Sequence, residues 1–213
     1  ETCALYAAGG RTGETVADGL RREGVPAEGC TIEGATREDF SVLATESGDV
    51  MRFVTPGPEV AAGEADDLLA RLADQAAADA LVVGSGSLPE GVGGAFWAKA
   101  AVLCRRVGAR LVLDSHDDVG PALETGLYCF RETLDAVSGL AGRCLAWPDE
   151  AAGWADEQVR AGAAKIVIVT NERAGALMVQ EGRRVRVLPP DVEPTSAIGA
   201  GDSFVAGFCL GLS

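Results

Sequence analysis

The sequence predicts an α/β fold in which helices cover both faces of a mostly parallel sheet. Short apolar runs alternate with longer segments of helical period, which is typical of repeated strand and helix units. With 213 residues, 47% of them hydrophobic, the chain is long enough to bury one sizeable core. We therefore expect one main domain, with room for a small appendage.

The individual elements follow this alternation in chain order. The stretch ALYAAGG predicts a strand that ends in glycines, and GETVADGLRREG predicts a helix with Val16 and Leu20 on one face. Next we expect helices over residues 64–77 and 93–107 and strands over residues 80–83 and 110–113. The last predicted elements are a helix over residues 149–161, a strand over residues 165–170, a meander through GALMVQ and RRVRVL that turns at Glu181-Gly182, and a helix that begins near Ala200.

Residues 39–58 interrupt the alternation of strands and helices. FSVLAT and VMRFVT predict two strands joined by a turn at Ser47-Gly48-Asp49, with no helix between them. An isolated hairpin is only marginally stable, and both faces of this one carry apolar residues, so it needs cover. An ordinary surface hairpin is one reading. The other is a lid over residues 39–58 that also forms a homodimer contact, with residues 1–38 and 59–213 as the α/β core.

Composition excludes several classes of protein. The chain has 32 acidic and 18 basic residues and a formal charge of −14, which argues against nucleic acid or an anionic membrane as partner. The six cysteines show no C-x-x-C spacing, so they indicate neither a zinc site nor a disulfide framework. No signal peptide or membrane-length apolar run is present, and we expect a cytoplasmic protein that binds a small molecule. The start at Glu1, without Met, is typical of a fragment.

Common nucleotide and hydrolase motifs are also missing. The chain has neither a G-x-x-x-x-G-K-[S/T] loop nor a G-x-G-x-x-G fingerprint. GSGS at residues 84–87 does not match the G-x-S-x-G of serine hydrolases, and His116 is the only histidine that could serve as a base. We interpret His116 as a solvated loop residue and GSGSLPEG as a turn at the carboxyl end of a strand, where parallel sheets bind ligands.

The stretch IGAGDSF combines two features that point to chemistry. A helix that begins at glycines leaves backbone N–H groups unpaired at the positive end of its dipole, which favours an anion near Gly199, Ala200 and Gly201. Asp202 follows in the first turn. A carboxylate beside an anion cradle is suited to removing the proton of a hydroxyl that attacks a phosphoryl group. An acidic residue favoured by the helix dipole is the plainer reading, but it does not explain the glycines.

With these residues the chain resembles a PfkB-type carbohydrate kinase of the ribokinase superfamily, and within it the branch that acts on fructose and tagatose phosphates. The similarity runs nearly from end to end. It is carried by AAGGRTGETVADGLRREGV, TRED, RFVTPGP, GSLPEGV, LVLDS and GAGDSFVAGF, in the order of the family. The resemblance implies a ribokinase-like three-layer α/β/α fold with a small β lid, and it also implies further segments before Glu1 and after Ser213.

The resemblance also implies roles for individual residues. Asp202 corresponds to the catalytic base, and Gly199, Ala200 and Gly201 correspond to the anion hole. The implied substrate-binding residues are Gly9, Gly10, Arg37, Arg52 and Ser85, and the implied nucleotide-binding residues are Thr170, Gly175, Gly199 and Gly201. The implied cofactors are ATP and Mg²⁺, with no metal ligand identified. Because a guanidinium recognises phosphate and not the stereochemistry of a ring, the sequence leaves the sugar open.

Two departures from the family keep a second function open. Where the family has K-P-N-x-x-E, this chain has Arg131, Glu132, Thr133 and Ala136, so the motif is absent unless Glu132 or Asp135 replaces it. In TNERAGA the charged Glu172-Arg173 pair stands where the family has Gly-Pro before the nucleotide. The sequence is therefore consistent with a ketohexose-phosphate kinase, and also with a non-catalytic paralogue that keeps the fold and sugar-phosphate binding.

Overall fold

The computed structural model describes residues 2–45, 50–192 and 198–212. Its strands are β1 (Ala4–Ala8), β2 (Ala27–Thr31), β3 (Phe40–Leu43), β4 (Val50–Phe53), β5 (Leu81–Ser85), β6 (Arg110–Asp114), β7 (Leu127–Thr133), β8 (Ala164–Thr170), β9 (Ala176–Gln180) and β10 (Arg183–Val187). Its helices are α1 (Gly10–Arg22), α2 (Ala62–Gln75), α3 (Ala95–Val107), α4 (Gly120–Thr125), α5 (Leu134–Leu140), α6 (Asp149–Arg160) and α7 (Ala200–Leu210). The α/β prediction is confirmed.

Each element predicted from the sequence is present with slightly shifted ends, but β2, α4, β7 and α5 were not predicted. β2 has the sequence AEGCT, which lacks the alternation that marks a half-buried strand. α4 and α5 have 6 and 7 residues, which is too short for a helical period to emerge. β7, LYCFRET, mixes aromatic and charged residues although it lies inside the sheet, because its charged side chains find partners there.

The chain forms two compact units. The first comprises Glu1–Gln75 and Leu88–Gly93, and the second comprises Ala76–Ser87 and Gly94–Ser213. In the first unit β1 and β2 pair in parallel, with Ala4 opposite Ala27. Among its described residues, the buried apolar side chains are Cys30, Ile32, Val60 and Leu69. This unit therefore has a small core.

The hairpin of β3 and β4 belongs to the first unit. Its antiparallel register sets Phe40 opposite Phe53 and Val42 opposite Met51, which confirms the two predicted strands. These four side chains share one face, since cross-strand partners and residues two apart lie on the same side of a sheet. The other face carries Ser41, Leu43, Val50 and Arg52. The predicted turn at Ser47-Gly48-Asp49 lies outside the described residues.

The second unit contains a six-stranded sheet in the order β10-β9-β8-β7-β6-β5. The strands β5 to β8 are parallel, and β8, β9 and β10 form the predicted antiparallel meander. β8 is buried on both faces, since the adjacent residues Ile168 and Val169 are 1% and 0% exposed, as expected for an inner strand that reads as a continuous apolar run.

Helices cover both faces of this sheet. On one face Ile166 and Ile168 pack with Val205, Phe204 and Phe208 of α7. Val112 of β6 belongs to the same cluster, so the next residue of that strand, Leu113, points to the opposite face. On that face Trp97 of α3 approaches Gly84 so closely that a Cβ on Gly84 would lie 2.6 Å from the indole ring. The result is the predicted three-layer arrangement. Within the described residues, no helix has the length and apolarity needed to cross a membrane.

Candidate active site

The start of α7 has the backbone geometry predicted from IGAGDSF, a helix that begins at glycines, and anion binding there stays a prediction. Gly199 precedes the helix with a φ of 75°, and the N–H of Ser203 donates to its carbonyl oxygen at 2.9 Å. The N–H groups before Ser203 therefore have no acceptor within the helix, because the first turn of an α-helix leaves its amides unpaired. A Cβ on Gly199 would meet no described atom within 4 Å, so the backbone conformation and not crowding calls for glycine there.

Asp202 lies in the first turn of α7 and is exposed. The carboxylate thus stands beside the free amides of its own helix, at the positive end of the helix dipole. Packing against the sheet holds α7 in place: Val205 is 5% exposed, and Phe204 and Phe208 contact the buried apolar cluster. Next to these rings lies an apolar cavity of about 330 Å³, lined by Ile168, Ala176, Met178, Val187, Ser203, Phe204, Gly207 and Phe208.

The guanidinium of Arg131 connects the strand ends to α7. Its NH1 donates to Asp114 Oδ1 at 2.8 Å, and its NH2 donates to Thr170 Oγ1 at 2.8 Å. A Cβ built on Gly201 would lie 3.1 Å from NH1, so the helix backbone is in close approach to this side chain. Arg131 therefore joins β6, β7 and β8 to the first turn of the helix that carries Asp202.

The structure brings three of the predicted site residues to one edge of the second unit. Ser85, the last residue of β5, is paired in register with Asp114 of β6. Thr170, the last residue of β8, accepts the hydrogen bond from Arg131, and Gly201 lies against the same guanidinium. These positions mark the carboxyl ends of the parallel strands, where open sheets bind ligands.

Gly175 has a structural reason of its own to be glycine. It lies between β8 and β9 with a φ of 95°, and a Cβ there would lie 2.1 Å from the carbonyl oxygen of Val187. Its own carbonyl accepts the N–H of Asn171 at 2.8 Å. The close approach of β10 accounts for the glycine, and a contact of Gly175 with nucleotide stays a prediction.

The region that departs from K-P-N-x-x-E uses its side chains to cap a helix and to fill a buried position. Thr133 caps α5, since its side chain accepts the N–H of Ala136 at 3.3 Å. Glu132 is 5% exposed, and burial raises the pKa of its carboxyl. The hydrogen bond from the N–H of Thr133 and the charge of His116, which lies 3.8 Å away, both lower this pKa, but burial has the larger effect. Across the described ranges, no three His, Cys, Asp or Glu side chains are grouped to hold a metal ion.

In the first unit, the glycines after β1 receive another part of the chain. A Cβ on Gly9 would lie 2.1 Å from the carbonyl oxygen of Gly34, and one on Gly10 would lie 2.9 Å from the Cβ of Ala35. The N–H of Gly9 donates to Thr36 Oγ1 at 3.0 Å, and the N–H of Thr36 donates back to Gly9 at 2.9 Å. The glycines thus hold the segment that leads into Arg37, and direct contact with a ligand stays a prediction.

The two arginines implied to bind the substrate phosphate lie around one carboxylate. Arg37 Nε is 3.8 Å and Arg52 NH2 is 3.5 Å from Asp39 Oδ2. The N–H of Thr55 donates to the other oxygen of Asp39 at 3.1 Å, which fixes the carboxylate between the two strands of the hairpin. Two guanidinium groups and one carboxylate leave an excess of positive charge, which suits an anionic group.

Sequence reasoning missed three side chains that organise these clusters: Asp39, Asp114 and Arg131. Asp39 is the last residue of the TRED element and Asp114 is the fourth residue of LVLDS, so both were quoted but given no role. Arg131 was noted as a departure from a motif. The signal for Asp114 and Arg131 was their position at ends of neighbouring strands, and it required β7 to be recognised.

Comparison with known proteins gives a consistent picture. The model of a family described as "pfkB family carbohydrate kinase" matches residues 1–213. The ATP-dependent 6-phosphofructokinase isozyme 2 of Mycobacterium tuberculosis is 33% identical over 210 residues, which cover 99% of this chain and 62% of that protein. The 1-phosphofructokinase of Rhodobacter capsulatus is 32% identical over 183 residues, which cover 83% of this chain and 56% of that protein. The chain thus spans less than two thirds of these relatives.

Solved structures agree. Phosphofructokinase-2 from Escherichia coli in complex with fructose-6-phosphate superposes with a TM-score of 0.91 at 33% identity, over 99% of this chain and 69% of that one. The tetrameric inhibited form of the same enzyme gives a TM-score of 0.93 at 33% identity, over 99% of this chain and 69% of that one. Both similarities extend across the two units described above.

Proposed function

This chain belongs to the pfkB family of carbohydrate kinases, and on that premise we propose that the protein transfers the γ-phosphoryl group of ATP to a hydroxyl of a ketohexose phosphate, a fructose or tagatose phosphate. The observation that carries the proposal is the start of α7, where the free amides of residues 199–201 adjoin the exposed carboxylate of Asp202. The relative from Mycobacterium tuberculosis is an ATP-dependent 6-phosphofructokinase, and the Escherichia coli enzyme was crystallised with fructose-6-phosphate.

In the proposed reaction the oxygen of the sugar hydroxyl attacks the γ-phosphorus of ATP. The new oxygen–phosphorus bond forms as the bond from phosphorus to the bridging oxygen breaks, and ADP leaves with that electron pair. The hydroxyl proton passes to the carboxylate of Asp202, which acts as general base. The amides of Ala200 and Gly201 donate hydrogen bonds to the oxygens of the transferred group, where negative charge must be stabilised during transfer.

Arg37 and Arg52 bind the phosphate that the sugar already carries. Their shared position at Asp39 supports this role, because a fixed carboxylate orients both guanidinium groups and still leaves net positive charge. Arg52 also lies on the less apolar face of the hairpin, with Ser41 opposite it in the register. In this proposal the hairpin is a lid that brings Arg52 to the substrate and excludes water from it.

The described residues fit ATP better than they fit a protein-held metal ion. Free amides at a helix start are suited to a phosphate group, whereas no group of three acidic, His or Cys side chains occurs in the described residues. Mg²⁺ is usually held by substrate phosphates with only one or two carboxylates. We therefore propose Mg²⁺ as the ion that accompanies ATP and neutralises phosphate charge, and no step is assigned to a metal site of the protein.

The direct experiment measures ADP release by the full-length native protein with Mg-ATP and a series of sugars. Fructose 6-phosphate, fructose 1-phosphate and tagatose 6-phosphate are compared with unphosphorylated fructose, and mass spectrometry identifies the product. We expect ADP release with at least one phosphorylated ketohexose and formation of the corresponding bisphosphate. If no phosphorylated ketohexose is turned over, the proposed function is wrong.

A second candidate function is a non-catalytic paralogue that binds the sugar phosphate alone. It is favoured by the region where the family has K-P-N-x-x-E. There Thr133 caps a helix and Glu132 is buried, so neither side chain is directed to a ligand in this arrangement. Calorimetric titration separates the two candidates. Binding of both Mg-ATP and a fructose phosphate supports the kinase, and binding of the sugar phosphate without Mg-ATP supports the paralogue.

We also propose that the apolar face of the hairpin forms a homodimer contact. Phe40, Val42, Met51 and Phe53 share this face, and their exposed fractions run from 42% for Val42 to 55% for Phe40. The rings of Phe40 and Phe53 stack with centroids 4.8 Å apart, which places an exposed aromatic pair at the open end of this face. An exposed contiguous apolar patch of this kind is typical of a protein interface, and a second copy supplies a matching surface.

A further inference from the structure

A single guanidinium ties together the ends of three neighbouring strands in the second unit. Arg131 extends from β7, and its two terminal nitrogens donate to Asp114 of β6 and to Thr170 of β8, each at 2.8 Å. Because the two acceptors lie on different strands, the plane of the guanidinium is set from both sides. The orientation of Arg131 is therefore determined by the sheet and not by solvent.

The ion pair of Arg131 with Asp114 is almost removed from water. The two side chains are 12% and 9% exposed, so their attraction is little screened by solvent. Removing one partner of such a pair leaves the other charge buried and uncompensated, which is strongly unfavourable. This pair is therefore a rigid feature of the strand edge.

The first turn of α7 lies against the terminal nitrogens of this guanidinium. A Cβ on Gly201 would be 3.1 Å from NH1, 3.5 Å from NH2 and 3.6 Å from Cζ of Arg131. The position is nearest the two terminal nitrogens and farthest from Cζ, so it lies at the end of the group that carries NH1 and NH2. One turn further along, the ring centroid of Phe204 is 6.0 Å from Cζ. The helix start thus rests on Arg131.

This contact has a direct consequence for the proposed chemistry. Gly201 supplies one amide of the cradle and is the residue before Asp202, so a shift of Gly201 moves both groups together. A misplacement of about 1 Å in a catalytic group can cost on the order of 100-fold in rate. We propose that Arg131 is a positioning residue that holds the first turn of α7, and through it the cradle and Asp202, at the carboxyl edge of the sheet. This inference rests on the proposed kinase function.

Lysine is not an equivalent residue at this position. Its ammonium group is a point charge that lacks the planar fork with which Arg131 reaches Asp114 and Thr170 at once while its terminal nitrogens contact Gly201. Arg131→Lys keeps the positive charge but not the positioning, whereas Arg131→Met removes both. The two variants therefore separate the effect of charge from the effect of shape.

Arg110, the first residue of β6, offers a matched control because it acts on the far end of α7 and not on its first turn. Its NH2 donates to the carbonyl oxygen of Asp79 at 3.0 Å, and its Cζ lies 5.4 Å from the ring centroid of Tyr128. Its charge also acts on Cys209 near the end of α7: burial raises the pKa of that thiol, and Arg110 lowers it. Arg110→Met thus removes a guanidinium with an aromatic contact close to α7 without touching the first turn.

The test compares Arg131→Met, Arg131→Lys and Arg110→Met in the full-length native protein, with steady-state kinetics and thermal unfolding. For Arg131→Met we expect kcat to fall about 100-fold while the KM for the sugar phosphate changes less than about threefold. Arg131→Lys is expected to lose about tenfold in kcat. Arg110→Met should keep kcat within about threefold, even if its Tm falls as far as that of Arg131→Met.

Equal kcat values for Arg131→Met and Arg110→Met at similar Tm would show that Arg131 only stabilises the fold. A raised KM with unchanged kcat would show that it binds substrate, and either result overturns the inference. If Arg131→Met does not fold, Arg131→Lys decides: a kcat like that of wild type overturns the inference, and the tenfold loss at unchanged Tm supports it.

A binding measurement keeps this inference distinct from the proposed function. If the wild-type protein turns over no sugar, the proposed function fails, and calorimetric titration with tripolyphosphate then tests Arg131 alone. We expect tripolyphosphate to bind the Arg131→Lys and Arg131→Met variants about tenfold more weakly than wild type and Arg110→Met, because a displaced helix start misaligns the amides. Equal affinity in all four proteins would overturn the positioning role.

Discussion

Among single residues, Asp202 and the pair Arg37 and Arg52 carry the chemistry that we propose, and their surroundings differ. Asp202 is exposed beside the free amides of its own helix, so its substitution should affect chemistry and not stability. Arg37 and Arg52 both approach Asp39, at 3.8 and 3.5 Å, and in our proposal they bind one anion as a pair. These differences decide which kinetic constant each substitution should change.

Asp202→Asn should lower kcat of the full-length protein by roughly 10²–10⁴-fold, because an amide keeps the shape of the side chain but does not accept the hydroxyl proton. The Tm should stay within about 2 °C, as expected for a surface substitution. Asp149→Asn is the control, since Asp149 is likewise exposed in the first turn of a helix, α6, and loses the same favourable interaction with a helix dipole. A kcat for Asp202→Asn within about tenfold of wild type would exclude Asp202 as general base.

Replacing Arg37 or Arg52 by Ala should raise the KM for a phosphorylated ketohexose by roughly ten- to a hundredfold, with little change in the KM for ATP. The reason is the loss of a charge-assisted hydrogen bond, which costs about 1.5–3 kcal/mol. Arg21→Ala serves as control, because Arg21 lies on α1 of the same unit and pairs only locally with Asp18 at 2.5 Å. Equal increases in both KM values would mean that the two arginines support the fold of the hairpin instead of binding phosphate.

At the scale of elements, the approach of β10 to the turn between β8 and β9 depends on Gly175. This glycine combines a positive φ of 95° with a neighbouring carbonyl oxygen, that of Val187, at 2.1 Å from where a Cβ would lie. Gly182, in the turn between β9 and β10, has a positive φ of 69° but no described atom within 4 Å of such a Cβ. The two glycines therefore separate backbone strain from steric crowding within one meander.

Gly175→Ala should destabilise the protein well beyond Gly182→Ala. For Gly182→Ala we expect about 1 kcal/mol, the cost of a left-handed conformation for a residue with a Cβ. Gly175→Ala adds a backbone clash that requires β10 to move, so its loss should exceed about 2 kcal/mol. Chemical unfolding of both variants, monitored by circular dichroism, measures the difference. Equal losses in the free energy of unfolding would show that β10 does not crowd Gly175, and would leave ligand binding as the explanation for this glycine.

For the whole molecule, the apolar face of the hairpin is the feature that bears on assembly. The hairpin pairs only with itself in the described sheets, and its aromatic pair Phe40 and Phe53 is 55% and 45% exposed. The Escherichia coli relative was crystallised in a tetrameric form, which is a property of that protein. Our proposal for this chain is a dimer through this face, because closing it against a second copy buries the rings on both sides.

Val42→Asp or Phe53→Asp should convert the proposed dimer to a monomer, because a carboxylate would be buried without a partner in the contact. Light scattering coupled to size exclusion measures the mass of each variant. Val102→Asp, at a comparably exposed apolar position on α3, is the control and should leave the mass unchanged. Hairpin variants with the mass of the wild-type protein would rule out this face as the interface.

Many features of this protein follow from the sequence alone. The strand and helix alternation, the two strands of the hairpin and the helix that begins at Ala200 were predicted because each has a local pattern: short apolar runs, a turn between two such runs, a period near 3.6, or glycines before an apolar run. The family resemblance rested on the same local stretches. Such patterns need no knowledge of which segments meet, so they are readable from one chain.

Tertiary structure decided how the strand ends are connected. Arg131 had no pattern of its own, and its importance appears only when β6, β7 and β8 lie side by side and Gly201 lies against its terminal nitrogens. The same holds for Asp39, to which Arg37 and Arg52 come from different segments. The physical reason is that ion pairs and close packing act across a few ångströms of space, whereas periodicity records only which face of its own element a residue occupies.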